Sequence, residues 1–151
     1  MNRHLARTLA MQTLYEWDFQ PSKSIDELLT LNLRSADREA SDTTFLKELI
    51  HGVILKVDNL DELISKSAPE WPMDQVSIVD KTILRLAIYE ILYREDVPAK
   101  VAINEAVELA KTFGGDNTSK FVNGVLGTIY RQSDRYKKDK VEGDNDKPAT
   151  N

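Results

Sequence analysis

The sequence predicts an all-α protein built as two packed three-helix bundles, with about six to seven helices. Three observations carry this prediction. Apolar residues recur at three- and four-residue spacing almost throughout, and no alternating stretch reaches useful strand length. The interruptions are made of Pro, Gly, Ser and Asp, the residues that break or cap helices. The segment "APEWPM", residues 68–73, holds two prolines, each of which bars helix from the residue before it, and it divides the predicted helices into three and three.

The first helix, about residues 3–18, carries Ala6, Leu9, Ala10, Thr13 and Trp17 on one stripe, broadened by Met11 and Leu14. "QPSKS" ends it. Ser24 is the expected N-cap of a short helix over about 25–35, with Asp26 and Glu27 in its first turn, where carboxylates complement the helix dipole. Phe45, Leu46, Leu49, Ile50, Val53, Val57, Leu60 and Ile64 keep a helical period over about 42–66, with a kink expected at Asp58. From about 76 to 94 the chain is apolar over most of the helical circumference, leaving mainly Lys81, Arg85 and Tyr89 polar. Such a helix is buried on several sides and belongs at the centre of the second bundle.

"EDVPAK" makes the next turn, and Ile103, Ala106, Val107 and Ala110 line a helix over about 101–113. Gly114 and Gly115 supply a left-handed stop. A last helix, about 118–134, is capped by Asn117 or Thr118. The bundles therefore occupy residues 1–68 and 74–135, and residues 136–151 form a disordered polar tail, since "KKDKVEGDNDKPATN" offers few apolar residues to anchor it.

Composition excludes several functions. With 41% hydrophobic and 30% charged residues in 151, the chain is an ordinary globular one, and no apolar run approaches the roughly 20 residues of a membrane span. We expect a cytoplasmic protein with no membrane partner. The absence of cysteine removes disulfides, thiol nucleophiles and thiolate metal sites. The sequence holds no phosphate loop, nucleophile elbow, paired-His metal motif or acidic calcium loop. His51 reads as a surface residue at the edge of a core stripe. No catalytic residue, metal or cofactor is expected.

The net charge of −5 opposes indiscriminate binding to nucleic acid, yet the first carboxylate is Glu16, so the leading segment with Arg3, His4 and Arg7 is a segregated basic end. Arg3 and Arg7 lie one turn apart at the positive end of a helix dipole, where cations are unfavourable by about 0.3–1 kcal/mol. Two readings stand: a solvated, fraying end, or an arm that contacts RNA phosphates.

On a helical wheel of "NTSKFVNGVLG", residues 117–127, Val122, Val125 and Leu126 face the core while Lys120, Gly124 and Gly127 fall opposite. Phe121 is at the margin of the apolar stripe. Either the glycines admit a neighbouring helix and Phe121 closes the core, or this is a recognition edge, with Phe121 stacking on a base and Lys120 meeting a phosphate. On the second reading, a cationic and aromatic margin is formed by the two distant ends of an anionic body.

The stretch "DKTILRLAIYEILYREDVPAKVAINEAVELAKTFGGDNTSKFVNGVLG", residues 80–127, with "ARTLAMQTLYEWD", residues 6–18, closely resembles the NusB family of bacterial transcription antitermination factors. The order and spacing of "DVP", "INEA", "ELAK", "FG" and "KFVNGVL" make the resemblance specific, and it extends from about residue 3 to 133. It implies two perpendicular three-helix bundles. It also implies binding to boxA RNA as a heterodimer with NusE, the small-subunit ribosomal protein, in a transcribing RNA polymerase complex that reads through terminators, notably in ribosomal RNA operons. By position, RNA contacts fall on Arg3, His4, Arg7, Asn117, Lys120 and Phe121, and partner contacts near Tyr15, Asp74 and Asp80.

The chain departs from the family pattern in two places. Its basic arm is thinner, with a His and a Leu where some relatives carry arginines, so the partner is expected to matter more. Asn117 stands where an acidic residue also occurs in relatives, which removes a charge that would repel RNA. Two other readings compete: the RNA-targeting domain of a ribosomal RNA cytosine methyltransferase, for which the polar tail leaves no room, and a scaffold that binds only protein. Self-association of the free protein stays open at this level.

Overall fold

The computed structural model describes residues 1–146. Among these the chain forms seven helices and no strand: α1 (Arg3–Phe19), α2 (Ile25–Ser35), α3 (Thr44–Ser67), α4 (Ile78–Tyr93), α5 (Ala99–Phe113), α6 (Asp116–Arg131) and α7 (Asp134–Asp146). The all-α prediction is met. The predicted break between the third and fourth helices falls where residues 68–77 join α3 to α4, and α3 continues through Asp58 as one helix.

The caps explain where helices begin. Asn2 Oδ1 accepts from the Leu5 N–H at 2.8 Å and Ser77 Oγ from the Asp80 N–H at 3.1 Å, each satisfying a first-turn donor. Ser24 occupies the N-cap of α2 without a side-chain capping bond. Between α5 and α6 only Gly115 has the left-handed backbone, at φ 91°, while Gly114 is at φ −125°. Gly115 is also the N-cap of α6, so Asn117 and Thr118 lie inside its first turn, not before it. A positive φ is strained for a side chain, and glycine relieves that strain at the tight α5–α6 reversal.

One core joins the two sets of helices. Leu46, Leu49, Ile50, Leu60 and Ile64 of α3, Ile83, Leu84, Leu86, Ile88 and Ile91 of α4, and Leu126 of α6 are all fully buried. As its apolar circumference requires, α4 is central and packs against α1, α3, α5 and α6. Two of its basic residues are matched: Arg85 donates to Asp61 of α3 at 2.7 Å and to Asp18 of α1 at 3.1 Å, and Lys81 pairs with Asp18. α1 and α4 run antiparallel, because Asp18 meets the start of α4 while Arg3 meets Asp96 just beyond its end.

The stretch expected to be disordered from residue 136 is helical through Asp146, and residues 147–151 lie outside the described residues. Polar anchors replace the missing apolar ones. Arg135 donates to the backbone carbonyls of Ile91, Arg94 and Val97, capping the C-terminal end of α4, where carbonyls lack partners within their own helix. The Tyr130 hydroxyl donates to Asp139 at 2.6 Å, and Tyr136 packs edge-on against Tyr130.

Candidate nucleic-acid interface

Arg7 is not available as a phosphate contact. Its side chain is 4% exposed, and its Nε and Nη2 donate to Glu90 Oε1 at 2.9 and 2.8 Å, with Nε also 3.1 Å from Oε2. Burial pushes the Glu90 carboxyl above the ordinary carboxylate range, and the hydrogen bonds and charge of Arg7 oppose that push. The two leading arginines therefore have different surroundings: the face of α1 that carries Arg7 turns into the α4 core. The expectation that this residue joins a basic arm fails, because periodicity alone does not reveal a buried acid 83 positions away.

Arg3 and His4 remain at the surface. Arg3 donates to Asp96 Oδ2 at 2.9 Å, and His4 Nδ1 lies 2.7 Å from Glu105 Oε2 of α5. Hydrogen bonds from Arg94, reinforced by the one from Arg3, hold the Asp96 carboxyl below its usual range.

The second patch lies near the other end of α4. Phe121 is half-buried against the core, and its ring meets Trp71 edge to face at a centroid distance of 6.0 Å. Trp71 is 52% exposed. These rings line an open cleft of about 430 Å³ together with Asn117, Thr118, Ser77 and Asp80. Asn117 and Lys120 are exposed. Nothing lies within 4 Å of where a Gly124 Cβ would stand, and the Arg131 guanidinium lies over Gly127. The glycines thus do not admit a neighbouring helix, and part of this face of α6 is bare backbone.

The six RNA candidates consequently do not form one margin. Arg3 and His4 form one patch and Asn117, Lys120 and Phe121 another, separated by roughly 20 Å along α4 at 1.5 Å per residue; Arg7 belongs to neither. The partner candidates gather at the start of α4. Asp74 is exposed in the α3–α4 connection, and Tyr15 lines a groove with Phe113 and Val79. Asp80 faces the Trp71–Phe121 cleft, with Oδ1 buried and without a hydrogen-bond partner among the described residues. A carboxylate expected to meet a protein partner therefore borders the aromatic cleft.

Trp71 also lines the cleft, although it is not among the residues the sequence singles out. Its signal was a large aromatic between two prolines, a position with no helical period to bury it. Arg94 and Asp96, which hold Arg3 in place, carry no comparable signal in the sequence, because they meet Arg3 only through packing.

The family model described as "NusB family" matches residues 4–131. The chain is 43% identical over 143 residues to the transcription antitermination protein NusB of Carboxydothermus hydrogenoformans, covering 90% of this chain and 97% of that one. It is 45% identical over 129 residues to the protein of the same description from Bacillus subtilis, covering 85% and 95%. Among solved structures, T. maritima NusB superposes with a TM-score of 0.81 at 29% identity, covering 91% of this chain and 98% of that one. A chain from a crystal structure of antitermination factors NusB and NusE in complex with double-stranded RNA superposes with a TM-score of 0.78 at 26% identity, covering 88% and 100%.

Proposed function

The chain belongs to the NusB family, and from that premise we infer an RNA-binding transcription antitermination factor that acts together with the ribosomal protein NusE. We propose further that its RNA is boxA, that the assembly works on transcribing RNA polymerase, and that ribosomal RNA operons are its principal setting. The observation that carries the RNA reading is the open cleft in which Trp71 and Phe121 present aromatic surface beside Asn117, on a protein whose net charge is −5. Unpaired bases stack on such rings in a way that overall negative charge does not prevent. Lys120, exposed beside the cleft, supplies local positive charge for the backbone, and the Arg3–His4 patch is a second contact region beyond the other end of α4.

The start of α4 supports the partner assignment. Tyr15 and Asp80 flank it and Asp74 precedes it, so a protein docked there would border the RNA cleft and complete a composite surface. Titration of labelled boxA RNA at two salt concentrations, with and without NusE, tests the whole reading. RNA affinity that rises when NusE is added, with a log–log salt slope of about −0.7 per phosphate, is the expected result. NusE binding without any RNA binding would instead indicate a protein scaffold.

A further inference from the structure

Phe45, in the first turn of α3, is surrounded by guanidinium groups. The Cζ atom of Arg3 is 4.2 Å from the ring centroid, that of Arg94 5.1 Å and that of Arg7 5.3 Å, all within cation–π range. Two of the three are committed. Arg7 is buried on Glu90, and Arg94, 17% exposed, donates to both Asp96 oxygens and to Glu48. Arg3 differs. Its side chain is 47% exposed, and among the described residues its one side-chain hydrogen bond runs from Nη2 to Asp96.

A guanidinium placed over an aromatic ring keeps its outer face free, and that face accepts a nucleobase by stacking. A phosphate seeking the same group would compete with Asp96, a carboxylate already held by Arg94 and Arg3 together. A base would leave that bond intact.

We propose that Arg3 is a stacking platform for an unpaired nucleobase of the bound RNA, with Phe45 behind it and Asp96 fixing its orientation; this rests on the RNA-binding reading above. Phe45 and Asp96 are then positioning residues. The site lies roughly 20 Å from the Trp71–Phe121 cleft, so the RNA is gripped by its bases at two separated points.

The test compares boxA affinity, in the presence of NusE and at two salt concentrations, for wild type, Arg3→Lys, Arg3→Ala and Phe45→Leu, with thermal unfolding of each chain followed in parallel. Lysine keeps the charge and loses the plane. Arg3→Lys is expected to weaken binding about tenfold, nearly as much as Arg3→Ala, while the salt slope stays at its wild-type value. Phe45→Leu, which keeps an apolar side chain against the core, is expected to weaken binding in the same direction while remaining folded. Wild-type affinity in Arg3→Lys or in folded Phe45→Leu, or a slope reduced by about 0.7 in Arg3→Ala, would overturn the platform. Failure of the wild-type chain to bind RNA at all would overturn the RNA reading and the platform with it.

Discussion

Arg7 of α1 and Glu90 of α4 form a buried ion pair with three hydrogen bonds between 2.8 and 3.1 Å, and each side chain is at most 4% exposed. The pair ties the N-terminal helix to the central one. It also converts a residue that looks like part of a basic arm into a component of the core. Taking two charges out of water is costly, and the pair offsets that cost only while both members are present.

Arg7→Ala should therefore lower stability by roughly 3–5 kcal/mol, because it leaves the Glu90 carboxylate buried and alone. Replacing both, as Arg7→Met with Glu90→Leu, should recover most of that loss. Urea denaturation of the two variants decides it. The double variant should also bind RNA with wild-type affinity; a tenfold loss in the folded double variant would return Arg7 to the RNA surface.

Trp71 and Phe121 share one cleft but are buried to different degrees, so their variants should separate binding from folding. Trp71→Ala removes a half-exposed ring and should weaken boxA binding by roughly 1–3 kcal/mol with little change in unfolding midpoint. Phe121→Ala should weaken binding by about one to two powers of ten. It should also reduce stability, by less than the roughly 3–5 kcal/mol of a fully buried Phe. Unchanged affinity in both variants would assign the pair to packing.

Asn117 is exposed at the mouth of the cleft, in the first turn of α6. Asn117→Asp should weaken RNA binding several-fold, and the difference should shrink in high salt, because a screened surface charge is what changes. Filter binding at two ionic strengths is sufficient. Equal affinity at low salt would remove Asn117 from the RNA edge.

Burial, together with the hydrogen bond to Asp139, raises the Tyr130 hydroxyl from 10.0 to about 12. The folded state thus holds this proton more tightly than the unfolded chain. Its contribution is fully present below pH 10, and is lost as pH rises towards 12. Tyr130→Phe should flatten the stability profile across that window, read by denaturation at successive pH values alongside tyrosinate absorbance. The loss should appear first as undocking of α7, which Arg135 and the Tyr130–Asp139 bond hold in place.

The helices α1 to α6 were readable before any coordinates, because a 3.6-residue apolar period and a Pro, Gly or Asx break are local properties of the chain. The same locality explains why α4 was expected at the centre of the second bundle; that it also packs against α1 and α3 of the first is a tertiary result. It fails for α7, whose composition is largely polar and whose order depends on carbonyls at the end of another helix. It fails also for the site. Phe121, Lys120 and Asn117 could be found by their spacing within one helix, but no spacing links Arg7 to Glu90, Arg3 to Phe45 or Trp71 to Phe121. Residues 42 to 83 positions apart meet only when α1, α3, α4 and α6 pack, so burial, charge pairing and the division of the basic residues into two patches were decided by tertiary structure. Local periodicity is set by the backbone geometry of one segment; which side chains lose their water is set by what packs against them.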